Sequence, residues 1–222
     1  MNTFANFEGD VMKIVLYGAS GMIGSRILAE ALARHHEAVA VVRNPDKVAA
    51  QPNLTIVSGD ATDAASIAAT AAGADVAISA YSPGSDNSLL TKNAHALLEG
   101  VAQAGVPRLI VVGGAGSLEV APGKLLVDSP DFPAVYHARA TEQAKALDIF
   151  RASDASSLTW TFVSPPAMIA PGVRTGSYRV GTDSLLVAAD GKSHISTEDY
   201  AIALLDEAES PKHPNRRFTV GY

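Results

Sequence analysis

The chain has 222 residues, 47% of them hydrophobic, a formal net charge of −6 and no cysteine. That length suits one large α/β domain with a substantial core, and no uninterrupted apolar run is long enough for a bilayer-spanning helix. The missing cysteines exclude disulfides, thiolate metal sites and a cysteine nucleophile, and the 17 scattered Lys and Arg give no basic footprint for nucleic acid.

Residues 1–11 lack the basic start, long apolar stretch and cleavage site of a secretory signal, so they read as a loose extension before a domain at 12–222, and a cytoplasmic location is expected. The first apolar run, 13–17, reads as a strand and leads into Gly18-Ala19-Ser20-Gly21-Met22-Ile23-Gly24 and a helix over 23–34. Glycines between a strand and a helix let an anionic group approach unpaired backbone N–H groups at the positive end of the helix dipole. The spacing is G-x-x-G-x-x-G rather than G-x-G-x-x-G, so its value rests on its place in the first βα unit.

A second strand over 38–42 ends at Arg43, about twenty residues past the turn, where an NAD-specific site of this design carries an acid. A guanidinium there suits a 2′-phosphate, which favours NADPH; as a lone residue it is also an ordinary solvated strand end. A third strand over 54–57 leads to Asp60 and Ala61. Asp60 has two readings, an acceptor for the adenine amino group or a turn carboxylate. Helix 64–71 and a strand at 76–79 follow, and Ala80, Tyr81 and Ser82 stand at that strand's carboxyl end. Helix 89–104 and a strand at 109–112 lead to Gly113-Gly114-Ala115-Gly116-Ser117, where small residues are expected to leave room for a flat ring.

Helix 138–151 is preceded by Tyr136 and His137, and Tyr136 is followed four residues later by Ala140. No Tyr-x-x-x-Lys pair is present. Ser117, Tyr136 and His137 are the candidate catalytic residues, with His137 equally readable as a solvated helix-end residue. A strand over 159–163 ends at Ser164 and Pro165, expected beside the nicotinamide. The stretch 172–176 reads as a lid, with Arg174 meeting an acceptor phosphate or carboxylate or standing exposed. Residues 194–200 gather His, Ser and acids but read as a helix start, with Ser196 or Thr197 as cap and Glu198 and Asp199 in the first turn. No metal-ligand spacing links the histidines, of which His35, His36, His95 and His213 read as surface or packing residues. A helix at 198–209 and a strand at 217–220 close the chain. Strand and helix alternate throughout, which predicts a doubly wound, mostly parallel Rossmann sheet with helices on both faces and a small C-terminal substrate-binding portion.

The motifs GASGMIG at 18–24, VVRNPDK around Arg43, VVGGAGSLEV at 111–120, WTFVSPPAMIAPGVRTGSYR at 160–179 and HISTEDYAIALLDE at 194–207 together resemble the atypical short-chain dehydrogenase/reductases that include NAD(P)H-flavin reductases, relatives of NmrA-like proteins and biliverdin reductase B. The resemblance spans nearly the whole chain. It implies a reductase passing hydride from NADPH to a flavin, quinone or similar planar acceptor, as monomer or homodimer. NmrA-like relatives imply an alternative, a non-catalytic NADP(H) sensor.

Overall fold

The computed structural model describes residues 11–154 and 157–222; residues 1–10, most of the expected N-terminal extension, lie outside them. In chain order the elements are β1 (Lys13–Tyr17), α1 (Gly24–Ala33), β2 (Glu37–Val42), β3 (Leu54–Ser58), α2 (Ala64–Ala71), β4 (Val76–Ser79), α3 (Leu89–Gln103) and β5 (Arg108–Val112). They continue with β6 (Glu119–Ala121), β7 (Lys124–Leu125), α4 (Ala134–Ala152), β8 (Thr159–Ser164), β9 (Met168–Ala170), β10 (Arg179–Gly181), β11 (His194–Ser196), α5 (Thr197–Glu209) and β12 (Arg216–Gly221).

The expected Rossmann architecture is present. Eight strands lie in the order β10-β12-β8-β5-β4-β1-β2-β3, all parallel except the edge strand β10, which runs antiparallel to β12. Successive side chains of a strand point to opposite faces, so β1 feeds two cores. Ile14 and Leu16 pack with Ile27, Leu28 and Ala31 of α1 and Tyr200 and Leu204 of α5. Val15 and Tyr17 join Ile67 of α2, Leu97 of α3 and Leu147 and Phe150 of α4. Strands buried on both faces read as continuous apolar runs, which is why their positions were plain in the sequence.

Because the chain leaves β1 toward β2 and β3, then returns to place β4 on β1's other side, the strand order reverses between β1 and β4. Ligands of open α/β sheets bind outside the carboxyl ends of the strands at such a reversal. The long Gly/Pro/Ser stretches are more ordered than their composition suggests. Residues 119–125 form the β6–β7 hairpin, β9 pairs in parallel with β11, and Glu119 bridges to Ser184. Helix α4 begins at Ala134, four residues before the apolar pattern starts, because its first turns are exposed and only Ala146, Leu147 and Phe150 are buried. Among the described residues, no helix is long and apolar enough to cross a membrane.

Candidate functional site

At the reversal point, three glycines of one turn do different jobs. Gly18 has φ +78°, and a Cβ on it would stand 2.5 Å from the Ala80 carbonyl oxygen. A Cβ on Gly24 would stand 2.1 Å from the Gly18 carbonyl oxygen. Both are glycine because backbone occupies the space. Gly21 differs: it is exposed, and the nearest atom to its Cβ would be the Gly18 oxygen at 3.3 Å. Its bare face opens outward, flanked by exposed Ser20 and Met22, whereas Ala19 is buried and Ile23 half-buried against the core. No side chain caps α1, so its N-terminus is open to an anion. A dinucleotide diphosphate fits this cradle.

Arg43 follows β2 on the surface, and among the described residues no carboxylate pairs with it. Its charge reaches both Asp60 and Tyr81, so the ends of β2, β3 and β4 converge on one corner of mixed charge that Asp86 and Lys92 also face. Asp60 is a turn carboxylate: Oδ1 accepts from the Thr62 amide and hydroxyl, each at 2.8 Å, and these bonds hold its carboxyl below the usual range. Asn93, which sequence reading missed, is buried in α3 and donates to the Ala61 carbonyl at 2.6 Å, fixing that turn. Burial raises the half-buried Tyr81 hydroxyl, with Arg43 opposing. Ser82 is exposed beyond it.

Ser79 ends β4 and Ser164 ends β8, and both hydroxyls are buried with no hydrogen-bond partner among the described residues. Ser79 lines a small recess with Tyr81, Asn93, Gln143 and Phe162. Two orphaned polar atoms at the carboxyl edge of the sheet are unusual in a core and suit a polar ligand. Pro165 and Pro166 are buried against this edge.

The glycine stretch after β5 departs from expectation. A Cβ on Gly113 would lie 2.1 Å from the Phe162 ring, one on Gly114 2.7 Å from Gln143 Cγ, and one on Gly116 2.7 Å from the Ala140 methyl. In the direction a side chain would take, these glycines meet β8 and α4, so their small size serves packing on that side. Ser117 is likewise engaged, its hydroxyl and carbonyl each accepting from Arg217 Nη1 at 3.2 Å, while buried Arg217 also pairs with Asp183. Tyr136 is 60% exposed on the first turn of α4. His137 is exposed beside it, its ring edge-on to Phe132 with centroids 6.2 Å apart. Among the described residues no hydrogen bond joins Ser117, Tyr136 and His137. Further along α4, Arg139 donates to the Ser82 hydroxyl at 3.2 Å and Gln143 to the Val112 carbonyl at 3.1 Å.

The stretch expected as a lid is tied to the two helices behind it, and Arg174, which is exposed, forms a bidentate pair with Glu30 of α1 at 2.9 and 2.8 Å. Glu198 accepts from the Gly172 amide and from Arg26. Asp199 is fully buried and accepts from the Thr175 and Gly176 amides, the Thr175 hydroxyl and the Tyr222 hydroxyl. Burial alone would raise its carboxyl, but these bonds outweigh it and hold it low. Ser196 caps α5 as expected, accepting from the Asp199 amide at 3.0 Å.

A family model described as NAD(P)H-binding matches residues 18–211, from the first glycine of the turn to just past α5. The chain belongs to this NAD(P)H-binding family. It is similar to the crystal structure of a "putative exported protein" of Burkholderia pseudomallei, at 47% identity, covering 96% of this chain and 100% of that one with a TM-score of 0.87. A "putative epimerase" of Bacteroides thetaiotaomicron is 43% identical over 96% of this chain and 98% of its own, with a TM-score of 0.90. A "putative NADH-flavin reductase" of Streptococcus pneumoniae is 34% identical over 95% and 99%, with a TM-score of 0.84. These three neighbours carry three different names, and they agree on no single reaction.

Proposed function

We propose that the protein is an NADPH-dependent oxidoreductase that passes hydride to a free flavin, a quinone or a similar planar acceptor. The observation that carries this reading is the Ala140–Gly116 contact. The position that would hold a lysine partner for Tyr136 holds a methyl group that stands where a side chain on Gly116 would point, so α4 supplies no cation one turn after Tyr136. Carbonyl reduction needs a proton delivered to a developing alkoxide, whereas a flavin or quinone spreads the incoming charge over a ring and takes its proton from water.

The dinucleotide supplies the hydride. The turn at 18–24 would hold its diphosphate, Arg43 would face its 2′-phosphate, and the buried Ser79 and Ser164 hydroxyls would line the strand ends beneath it; catalysis would be mainly the alignment of donor and acceptor. The test is stopped-flow oxidation of NADPH against FMN, FAD and quinones. Turnover with a planar acceptor, largely retained in Tyr136→Phe, is the expected result. A loss of several orders of magnitude in Tyr136→Phe with cofactor affinity intact overturns the mechanism. The packing of the glycine loop favours a second reading, a sensor that binds NADP(H) without turnover; micromolar binding with no acceptor consumed would select it.

A further inference from the structure

Among the described residues, Arg26, Arg34, Arg108, Arg151, Arg174 and Arg217 all pair with carboxylates. Arg43, Arg139, Arg179 and Arg216 have no carboxylate side chain as partner, and of these Arg179 and Arg216 lie on the β10–β12 edge, away from the 18–24 turn. Arg43 serves the adenine end of the crevice, and Arg139 stands elsewhere. It is exposed on α4, and its one hydrogen bond crosses the crevice to the Ser82 hydroxyl. Ser82 lies two residues past Ala80, whose carbonyl packs on Gly18 of the phosphate turn, and two residues of chain span at most about 7 Å. The guanidinium is therefore held, by one bond to a neutral, solvent-exposed partner, on the loop that begins against the turn.

Its neighbours on α4 fix its height. Gln143, one turn on, is anchored to the sheet edge through the Val112 carbonyl, and Ala140 packs on Gly116. These contacts place Arg139 one turn above the carboxyl edge, over the end of β4. A neutral hydroxyl is a weak partner for a guanidinium; a phosphate oxygen forms a bond roughly twice as strong and matches its fork geometry.

We propose that Arg139 is a cofactor-binding residue that exchanges Ser82 for a diphosphate oxygen of the bound dinucleotide, clamping it from the α4 side. This rests on the reading that the diphosphate sits on residues 18–24. The diphosphate is common to NADH and NADPH, so Arg139 supplies affinity without selectivity, in contrast to Arg43.

The test titrates wild type, Arg139→Met, Arg139→Lys and Arg151→Met with NADPH and NADH at several salt concentrations, with thermal melts to confirm folding. Arg139→Met is expected to weaken both dinucleotides by the same factor, about tenfold to a hundredfold, and to flatten the salt dependence. Arg139→Lys is expected to fall between. Arg151→Met, which removes a paired charge from the same helix, is expected to bind like wild type. Unchanged affinity for both dinucleotides in Arg139→Met overturns the proposal. So does weakening of NADPH alone, which assigns Arg139 to the 2′-phosphate. Intact dinucleotide binding with lost discrimination between FMN and riboflavin by the NADP-saturated protein also overturns it, assigning the cation to the acceptor. Failure of wild type to bind either dinucleotide marks instead the failure of the underlying cofactor reading, and the clamp falls with it.

Discussion

Glycine marks both ends of the crevice, for opposite reasons. In the turn at 18–24, Gly18 and Gly24 make way for backbone of the turn itself and of β4, and Gly21 presents a bare outward face. In the stretch 113–116, Gly113, Gly114 and Gly116 each make way for a side chain, that of Phe162, Gln143 or Ala140. The first arrangement is mostly local and leaves a seat. The second is tertiary and serves packing. Glycine-rich composition alone therefore does not report an opening; what stands where the Cβ would be decides.

The sharpest way to break this comparison is within the first turn. Gly24→Ala must displace the Gly18 carbonyl and is expected to cost about 3 kcal/mol or more of stability, whereas Gly21→Ala should stay within about 1 kcal/mol of wild type yet lose tenfold or more in NADPH affinity. Chemical denaturation and cofactor titration separate the two, and equal stability loss in both would erase the distinction between packing and seat. At the adenine end, Arg43→Ala should weaken NADPH by about 1.5–3 kcal/mol and NADH much less, because only NADPH carries the 2′-phosphate. Equal affinities in wild type, unaltered by the substitution, would return Arg43 to an ordinary surface residue.

The stretch 172–178, tied to α1 and α5, is sharpened by acid titration. Asp199 has a depressed carboxyl in the fold, so its contribution is fully present above the unfolded value of about 3.9 and is lost as pH falls through the folded value. Asp199→Asn is expected to cost about 1.5–3 kcal/mol near neutral pH, with the gap to wild type closing below about pH 4. A gap that persists into strong acid would show that the hydrogen-bond geometry, not the charge, matters. The smallest effect is expected from Arg174→Ala. Arg174 is more than half exposed and Glu30 keeps Arg34, so stability should change by less than about 1 kcal/mol and FMN affinity not at all. A marked fall in FMN affinity would restore Arg174 to the acceptor site.

Most of the sheet was legible because its strands are buried on both faces and carry unbroken apolar runs; β1 and β4 match the expected limits residue for residue. The phosphate turn was legible because it is a local strand-turn-helix device. The short strands β6, β7, β9, β10 and β11 were not, since each spans only two or three residues and is defined by a distant partner. Nor were the long-range ties. Glu30 with Arg174 is 144 residues apart and Arg217 with Ser117 is 100, and nothing in local composition marks either pair. His36 and His213, read as surface or packing residues, also have acidic partners, Glu209 and Glu207.

The contact between Ala140 and Gly116 also bears on retrofitting. Writing a lysine at 140 would complete the Tyr-x-x-x-Lys spacing on paper, but its stem would have to leave the helix where the 113–117 loop already lies against the methyl group. Relocating that loop disturbs Phe162 and Gln143 on one side and the Arg217–Asp183 tie on the other. A one-residue graft at 140 thus sets a long side chain beside a loop whose glycine already makes way for a methyl group, and the placing of its cation depends on that loop as much as on the helix.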